Sequence, residues 1–528
     1  MNKSKGTTRA KSRAAPSFNE IWTKNRKLTK NIAFSVALDL FPITSPEIKR
    51  ARDALRVTEP FYQFPTEKHL YEVILPRMYD QVKQKVQQTV RSDLAKGVKQ
   101  IALSIDGWTG RSVSDHMSIT AHYWTADFEP RHFLLQLESL PRAWNTAHDL
   151  FHLIQNVLLK YGFAGAPNDG GRVVHIVTAN GHNVVEATEL NPNWIRVPCL
   201  ARLLQLTVDD ALDHHDEFNA LRTKCERLLS ALWSKSGSST GGSLLRDEVV
   251  PSWNSIHEMF DSLLRLRGAV RAFLQESPDL QLTDTDWESM ERYVGTLAPL
   301  RQATEMLSGE PYPPLSLYIP TARAVFELVR SASSLDDCLA DRLGGAMCSR
   351  FGRALNANES MVVAMVLDPR FKTRLLSDEE RPTVVDIVRD KMLETTGTAV
   401  PRSRKRASSP LEQYLARMGD EQKPSLEKAV EAELAHYLCE DVVPMDSRIN
   451  EWWRRHSRLF PRLGDLARVY LAVPAVQVST ERAFPRKRGF DLDRRAELLA
   501  SQANVLDLMR ISFLNHNLGY FEAEVDCL

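Results

Sequence analysis

The chain of 528 residues is 43% hydrophobic and carries 68 lysines and arginines against 67 aspartates and glutamates, for a net charge of +1. This composition allows a large buried core and roughly two to four structural units of an ordinary globular protein. No window approaches the roughly 20 apolar residues of a membrane helix, and the basic N-terminus has no apolar signal segment. We therefore expect no membrane partner and a cytosolic or nuclear location.

The six cysteines are scattered, without CxxC spacing or a paired Cys/His cluster. This pattern supports neither a disulfide framework nor a zinc finger, so we expect reduced thiols and no structural zinc. Single cysteines of this kind usually act as small buried hydrophobic residues. The positions are Cys199, Cys225, Cys338, Cys348, Cys439 and Cys527.

The charge is unevenly distributed. Residues 1–30 hold nine lysines and arginines and one acid, Glu20, which gives this segment +8 and leaves −7 for the rest. Such a basic, Ser/Thr-rich arm suits nuclear import or contact with phosphates, because mobile basic side chains displace counterions from a polyanion. A solvated disordered tail explains it equally well. A second basic run at 402–406 is open to the same two interpretations.

Residues 31–96 predict a small helical subdomain. Ile32, Val36 and Leu40 have helical spacing, as does a second apolar stretch that runs from Leu70 through Val73 to Val86. Prolines at 42, 60 and 65 stand between the two stretches, where helices should end.

From residue 97 the pattern changes to short strands that alternate with helices, because β-branched and aromatic residues cluster between turn signals. The resulting order is typical of an α/β fold of the ribonuclease H-like kind. The predicted elements are strands at Gln100–Trp108, Ser118–Trp124 and Arg131–Leu140, a helix at 146–161, a strand at Val173–Thr178, a helix at 182–189, a strand at Ile195–Pro198 and one long helix from Leu200 to Trp233.

Beyond residue 233 the chain is predicted to be mainly helical, after a Gly/Ser-rich linker at 234–243. The complete predicted organisation is a basic disordered arm at 1–30, a helical N-terminal subdomain at 31–96, the first part of a ribonuclease H-like core at 97–233, a linker and all-α insertion domain at 234–440, and a helical C-terminal segment at 441–528 that completes the core.

Six stretches of the sequence carry more specific information about the kind of protein than the composition does. They are SIDGWTG at 104–110, IVTANGHN at 176–183, VPCLARLLQLTVDDAL at 197–212, SWNS at 252–255, VLDPRFK at 366–372 and LARVYLAVPAVQVSTERAF at 466–484. Together and in this order they resemble the hAT superfamily of DNA transposases, and most of all the host proteins derived from it that carry BED zinc fingers. The resemblance runs from about residue 30 to 515. No C-x2-C or H-x3-5-H pair occurs in residues 1–100, so we expect the BED finger to be missing here.

The resemblance implies a ribonuclease H-like core that is interrupted by a helical insertion and completed by a C-terminal dimerisation segment. It also implies strand cleavage and transfer, in which three acids hold two divalent cations at the reacting phosphodiester. The first acid falls on Asp106 and the third on Glu481. The second acid of the family's T-D-N falls on Ala179, and a methyl group cannot ligate a metal.

No neighbour replaces the missing acid, and two further departures from the family pattern agree with this loss. Asn180 is adjacent to the missing acid, but on an extended backbone it points to the opposite face. The family's Cys-x-x-His appears as Cys199 and Arg202, and arginine cannot exchange protons near neutral pH. Pro485 follows Glu481 by four residues, where its ring clashes with the carbonyl of residue 481 inside a helix. We therefore expect no Mg²⁺ cofactor and a degenerate, inactive site.

The resemblance also assigns contacts to DNA and to a second subunit. Trp253 matches a family tryptophan that stacks on bases, and Arg202 is the second predicted DNA contact. A tryptophan that serves only as a core anchor is the alternative for Trp253. The predicted dimerisation residues are Trp452, Trp453, Leu463, Leu466, Tyr470, Leu471 and Leu506. The alternative is that these side chains pack only inside their own chain.

The sequence thus predicts a catalytically inactive, transposase-derived nuclear protein that forms homodimers and acts in DNA or chromatin binding or in transcription regulation. Other transposase-derived or BED-finger proteins are further candidate partners. Two alternatives stay open: an active hAT-type transposase, and a dimeric interaction scaffold with no nucleic-acid role.

Overall fold

The computed structural model combines many helices with one five-stranded sheet, as the α/β prediction requires. The described residues are 18–38, 45–109, 115–140, 146–163, 173–179, 181–213, 215–236, 253–275, 280–310, 312–332, 338–356, 358–397, 425–477 and 505–525.

The chain forms two compact units. The helical unit consists of residues 1–92, 133–138 and 479–528, and the sheet unit consists of residues 93–132 and 139–478. The sheet unit contains residues from both the predicted first part of the core and the predicted insertion.

The helical unit is built on an apolar stripe with one residue in every turn. Leu70, Ile74, Met78 and Val82 are completely buried, whereas Val73, which was predicted to share their face, is 41% exposed. Leu40 lies outside the described residues. The elements are α1 (Phe18–Leu38), α2 (Pro46–Thr58), α3 (Glu67–His69), a π-helical turn (Leu70–Ile74), α4 (Leu75–Ala95), α19 (Val505–Asn517) and a 3-10 turn (Leu518–Tyr520).

The C-terminal helix α19 is tied into the helical unit by two asparagines. Asn515 donates from Nδ2 to the carbonyl of Ala37, and Asn517 exchanges two hydrogen bonds with the backbone of Leu134. Because buried amides are costly unless they are bonded, these pairs fix the position of α19 within the unit.

All five predicted strands are confirmed, with bounds that differ by at most three residues. The strands are β1 (Ile101–Thr109), β2 (Asp115–Trp124), β3 (Pro130–Leu140), β4 (Val173–Thr178) and β5 (Ile195–Pro198). The sheet order is β3-β2-β1-β4-β5, which makes β1 the central strand. β1 runs antiparallel to β2 and parallel to β4, and β4 is parallel to β5.

The remaining helices belong to the sheet unit. They are α5 (Ala147–Tyr161), α6 (His182–Glu189), α7 (Leu200–Leu212), α8 (Asp216–Ser236), α9 (Trp253–Arg265), α10 (Arg267–Gln275), α11 (Asp284–Gly309), α12 (Tyr318–Ala332), α13 (Cys338–Asn356), α14 (Glu359–Leu367), α15 (Glu380–Gly397), α16 (Leu426–Cys439), α17 (Ile449–His456) and α18 (Pro461–Tyr470). A 3-10 turn at Leu315–Leu317 precedes α12.

The prediction of one helix from Leu200 to Trp233 was wrong, because the chain leaves helical geometry at Asp213. Arg342 from α13 donates to the carbonyls of Ala211 (2.8 Å) and Asp213, so the helix end is satisfied by a distant side chain. His215 then accepts from the amide of Phe218 at 3.2 Å and caps the next helix. Neither partner is visible in the local sequence pattern.

The expectation for the cysteines is met only in part. Cys199 and Cys225 are buried, but Cys338, Cys348 and Cys439 are exposed, because the three lie on outward positions of helices or at a helix end. No helix in the described part of the chain combines the length and the apolar character that crossing a bilayer requires.

His175 connects β4 to the helices that pack on the same face of the sheet. Its Nε2 is 2.9 Å from the Ser360 hydroxyl at the start of α14, and its ring meets Tyr470 of α18 edge-on. The side chain is 1% exposed, and burial lowers the pKa of His175 from 6.5 to about 4.

This lowered pKa predicts acid sensitivity. As the pH falls below about 6.5 the unfolded chain binds the proton first, so stability that is present above this pH is lost between about pH 6.5 and 4. The expected loss from this one group is about 3 kcal/mol. Denaturant unfolding of His175→Gln should show a shallower decline over the same range. Parallel declines for the two proteins would contradict the assignment.

Candidate functional site

The sheet register places Asp106 beside Ala179. Parallel pairing of β1 with β4 ends at Ile105 opposite Thr178, and the next residue of each strand is Asp106 and Ala179 respectively. Because side chains alternate between the faces of a strand, Asp106 and Ala179 share one face. The residues that the resemblance matches to the family's first and second acids therefore adjoin, and of the two only Asp106 bears a carboxylate.

Asp106 is held by a residue that sequence reasoning missed. Its side chain is 5% exposed, and its Oδ1 accepts a hydrogen bond of 2.7 Å from Nε2 of Gln477. The backbone amide of Gln477 also donates to the Sγ of Cys199. Gln477 thus connects β1 to the start of α7. The only sequence signal was its place inside the family stretch at 466–484.

Backbone hydrogen bonds hold the segment that carries Gln477. The Val473 carbonyl accepts from Leu315, and the Ala475 amide donates to Pro313, each at 2.7 Å. On the other side, the Ala475 carbonyl accepts from the amide of Leu200 at 2.9 Å. Residues 473–477 therefore lie between the approach to α12 and the N-terminus of α7, and they lead directly to Asp106.

A second residue that the sequence did not identify is Arg196 of β5, which contacts the end of β4. Arg196 donates from Nε to the Thr178 hydroxyl at 3.1 Å and from Nη2 to the carbonyl of Ala179 at 3.4 Å. Burial lowers the pKa of Arg196, but a guanidinium stays charged in proteins. A fixed cation therefore contacts the backbone at the position where the family carries its second acid.

The described residues do not fit the two-metal centre that the resemblance implies. Divalent cations of this kind need several oxygen ligands, but Ala179 offers none from its side chain and one oxygen of Asp106 already accepts from an amide. Within the described ranges, no three His, Cys, Asp or Glu side chains are grouped so that they could hold a metal ion. Glu481, Asn180 and Pro485 lie outside the described residues.

The structure describes the side chain of only one of the two predicted DNA contacts. Arg202 is half-buried in the first turn of α7, where its charge lowers the pKa of Asp209 against the larger, opposite effect of burial. Trp253 is the first residue of α9, and its side chain lies outside the described residues.

Five of the seven predicted dimerisation side chains are buried in their own chain. Their exposed fractions are 0% for Trp453 and Leu463, 2% for Leu466 and Leu471, and 8% for Tyr470. Trp452 is half-buried, and the side chain of Leu506 lies outside the described residues. The prediction that the five buried side chains form an outward surface was wrong, because apolar residues of α17 and α18 pack against α14 and α16 instead.

The VLDPRFK stretch explains where these residues pack. The Trp453 indole donates to the carbonyl of Leu367 at 3.1 Å, and the Tyr437 hydroxyl donates to that of Val366 at 3.0 Å. Buried Lys372 donates to the carbonyls of Tyr437 and Glu440. Its backbone φ of 48° is one that residues other than glycine rarely adopt. This stretch therefore joins the predicted insertion to the C-terminal helices.

A charge pair completes the same joint. Asp368 is completely buried and accepts from the Ser316 hydroxyl at 2.6 Å and from the Arg370 guanidinium at 2.8 Å. A buried carboxylate that lost these partners would keep an uncompensated charge. The family stretch at 366–372 is thus a structural joint in the sheet unit.

The contact between Asp106 and Gln477 predicts a measurable coupling. Asp106→Ala and Gln477→Ala should each destabilise the sheet unit, and the double variant should be about 2 kcal/mol more stable than the sum of the two losses predicts, because the hydrogen bond involves a charged group. Denaturant unfolding of the four proteins measures this. Gln281→Ala, whose side chain bonds the carbonyl of Leu274, is the control that should combine additively with Asp106→Ala. Additive effects for Gln477 would contradict the contact.

Comparison with known proteins gives a consistent result. The sequence model of the hAT family C-terminal dimerisation region matches residues 433–510. The chain is 25% identical over 496 residues to the human zinc finger BED domain-containing protein 4, covering 87% of this chain and 41% of that protein.

Two other similar proteins come from a fly and a fungus. The transposable element Hobo transposase of Drosophila melanogaster is 21% identical over 75% of this chain and 68% of its own length. The putative transcriptional regulator tpeD of Talaromyces stipitatus is 22% identical over 81% of this chain and 54% of its own length. The match of residues 433–510 to the dimerisation region and the similarity over three quarters or more of the chain support a protein derived from the hAT transposase family.

Proposed function

We propose that this protein is a transposase-derived, non-catalytic nuclear factor that self-associates through its C-terminal region and acts by binding DNA or chromatin. The observation that carries the loss of catalysis is the position of Asp106 and Ala179, each directly after the paired residues Ile105 and Thr178 of adjacent strands. Two neighbouring residues support it further. Gln477 gives Asp106 an amide donor in place of a cation, and Arg196 brings its own positive charge to residue 179.

A ribonuclease H-like core is part of this proposal. The mixed sheet with a central β1, two antiparallel strands on one side and two parallel strands on the other is what that core requires. The placement of both family acid positions at the junction of β1 and β4 supports the same assignment. The order of helices after β3, β4 and β5 agrees with it.

A cleavage assay tests the loss of catalysis. The purified chain should not nick or join DNA strands in the presence of Mg²⁺ or Mn²⁺, because Ala179 cannot replace a carboxylate ligand. Ala179→Asp combined with Arg202→His should be compared in the same assay, with Asp106→Ala in that background as the control. Cleavage that the double variant gains and the control loses would show that the defect is local. Robust cleavage by the unmodified chain would refute the proposal.

Self-association is supported by the family dimerisation region at 433–510. Because Trp453 and the three leucines at 463, 466 and 471 are buried in their own chain, we look for the surface among the other residues of the region. Two apolar side chains of its described part are more than half exposed, namely Met445 at 57% and Leu459 at 51%. Leu459 follows Trp452 and His456 at spacings of seven and three residues, and the rings of these two residues are stacked at 4.0 Å.

Sedimentation of the intact chain should therefore give a dimer or a larger assembly. Leu459→Glu should shift the protein toward monomer without lowering its melting temperature, because interface centres are depleted in charge. Trp453→Ala should instead destabilise the fold by about 3–5 kcal/mol, as the loss of a large core side chain does. A monomer at micromolar concentration for the unmodified chain would contradict self-association. An unchanged dimer with Leu459→Glu would remove Leu459 from the interface.

The nuclear location and the contact with DNA or chromatin rest on the relatives and on charge. The similar proteins are named as a transposase, a BED zinc finger protein and a transcriptional regulator. The basic segments at 1–30 and 402–406 are the import or phosphate-binding signals that this function requires. Other transposase-derived or BED-finger proteins are proposed as partners on the same basis.

A further inference from the structure

The N-terminal half of α1 presents an exposed tryptophan among basic side chains. Trp22 is 52% exposed, and the guanidinium of Arg26 lies 4.5 Å from the centre of its ring. Lys24 and Lys27, on either side of Arg26, are exposed as well. A guanidinium that packs on one face of an indole orients the ring and leaves the remainder of its surface to solvent.

Contacts with the segment that follows α2 hold this part of α1 in place. Asn25 donates to the carbonyl of Phe61 at 3.2 Å, Lys24 pairs with Glu59 at 2.5 Å, and the Thr29 hydroxyl lies 3.1 Å from that of Tyr62. The Phe61 side chain is 72% exposed, although its backbone is fixed beside the turn of α1 that carries Trp22. Two exposed aromatic rings are therefore presented by a preformed framework.

The N-terminal part of the sequence, which contains this surface, is strongly basic. Residues 18–92 contain 13 lysines and arginines against 8 acids, and residues 1–17 add five basic residues and no acid. Residues 1–92 thus carry +10, which leaves −9 for residues 93–528. A polyanion is attracted to the first of these regions and repelled by the second.

We propose that Trp22, Phe61 and the flanking Lys27 form a binding surface for single-stranded nucleic acid. Unpaired bases stack on the exposed rings, and Lys27 contacts the phosphates that link them. The combination of flat rings with basic side chains is what recognises unpaired bases, since every base has a π-face and every nucleotide carries a phosphate. In a duplex the base faces are already stacked on one another. An acidic protein segment offers charge but no planar groups to stack. The surface thus gives the proposed nucleic-acid function, on which it rests, a defined ligand class.

Fluorescence anisotropy of the full chain with a labelled 20-nucleotide single strand, as DNA and as RNA, and with the matching DNA duplex tests this proposal. Trp22→Ala should weaken binding of the single strands roughly tenfold, because one base–aromatic stack is lost. Trp22→Phe, which keeps a ring, should retain most of the affinity. Lys27→Glu should weaken binding and flatten its salt dependence between about 50 and 200 mM.

Two exposed residues of the sheet unit serve as matched controls. Lys428→Glu on α16 makes the same charge change, and Leu328→Ala on α12 removes a side chain that is 50% exposed. Both should leave binding unchanged, and circular dichroism and sedimentation should show that Trp22→Ala keeps its fold and assembly.

Four other results of these measurements would each overturn a part of the proposal. No binding to any nucleic acid by the unmodified chain would overturn both this proposal and the nucleic-acid part of the proposed function. Binding that is unaffected by Trp22→Ala and Lys27→Glu would overturn the surface alone. A preference for the duplex over both single strands would overturn the stacking mechanism. If the Trp22→Ala variant formed a smaller assembly than the unmodified chain, the surface would be a contact between copies of the chain, and the proposal would be wrong.

Discussion

The sheet unit depends on five residues outside any helix or strand that come late in the chain. Residues 473–477 hydrogen-bond to Pro313 and Leu315 on one side and to Leu200 on the other, and Gln477 then reaches the carboxylate of Asp106. These bonds connect the central strand, the helix that follows β5, the predicted insertion and the C-terminal region. Because backbone groups buried away from water must be paired, removing this segment leaves unsatisfied groups on each of its neighbours at once.

The family resemblance persists in residues whose contacts are structural. Asp368, Arg370 and Lys372 form a buried joint between α14 and the C-terminal helices, and Trp453 and Tyr437 donate to the carbonyls beside it. Such a joint tolerates little change, because each buried charge needs its specific partners. The acid position at residue 179 lies outside this network, so an alanine there costs the fold nothing comparable. The proposed loss of catalysis is therefore compatible with retention of the architecture.

Much of the fold could be predicted from local pattern. The strands were found because β-branched and aromatic residues alternate between turn signals, and the helix caps at Thr146 and Cys199 stand where the pattern placed helix starts. The break at Asp213 was missed, since it depends on Arg342, which is 129 residues distant. At the site, the family resemblance selected Asp106 and Ala179, and the structure places them directly after the paired residues Ile105 and Thr178 of adjacent strands. Gln477 and Arg196 were missed because their function at the site arises only from tertiary contacts. The dimerisation anchors were misassigned because an apolar pattern shows that side chains are buried. It does not show whether they are buried in their own chain or against a second subunit.

The contact between Asp106 and Gln477 spans 371 residues, and this separation has a consequence for biosynthesis. A ribosome that adds about 5–20 residues per second needs roughly 20–70 s to make the intervening chain. Throughout that interval the nascent sheet lacks the segment that closes its functional face, and the apolar side chains of α14 lack α18. The protein is therefore exposed to chaperones and to aggregation for most of its translation. A transcript that ends before residue 473 encodes all five described strands. It lacks the segment that connects the central strand to α7 and to the residues before α12.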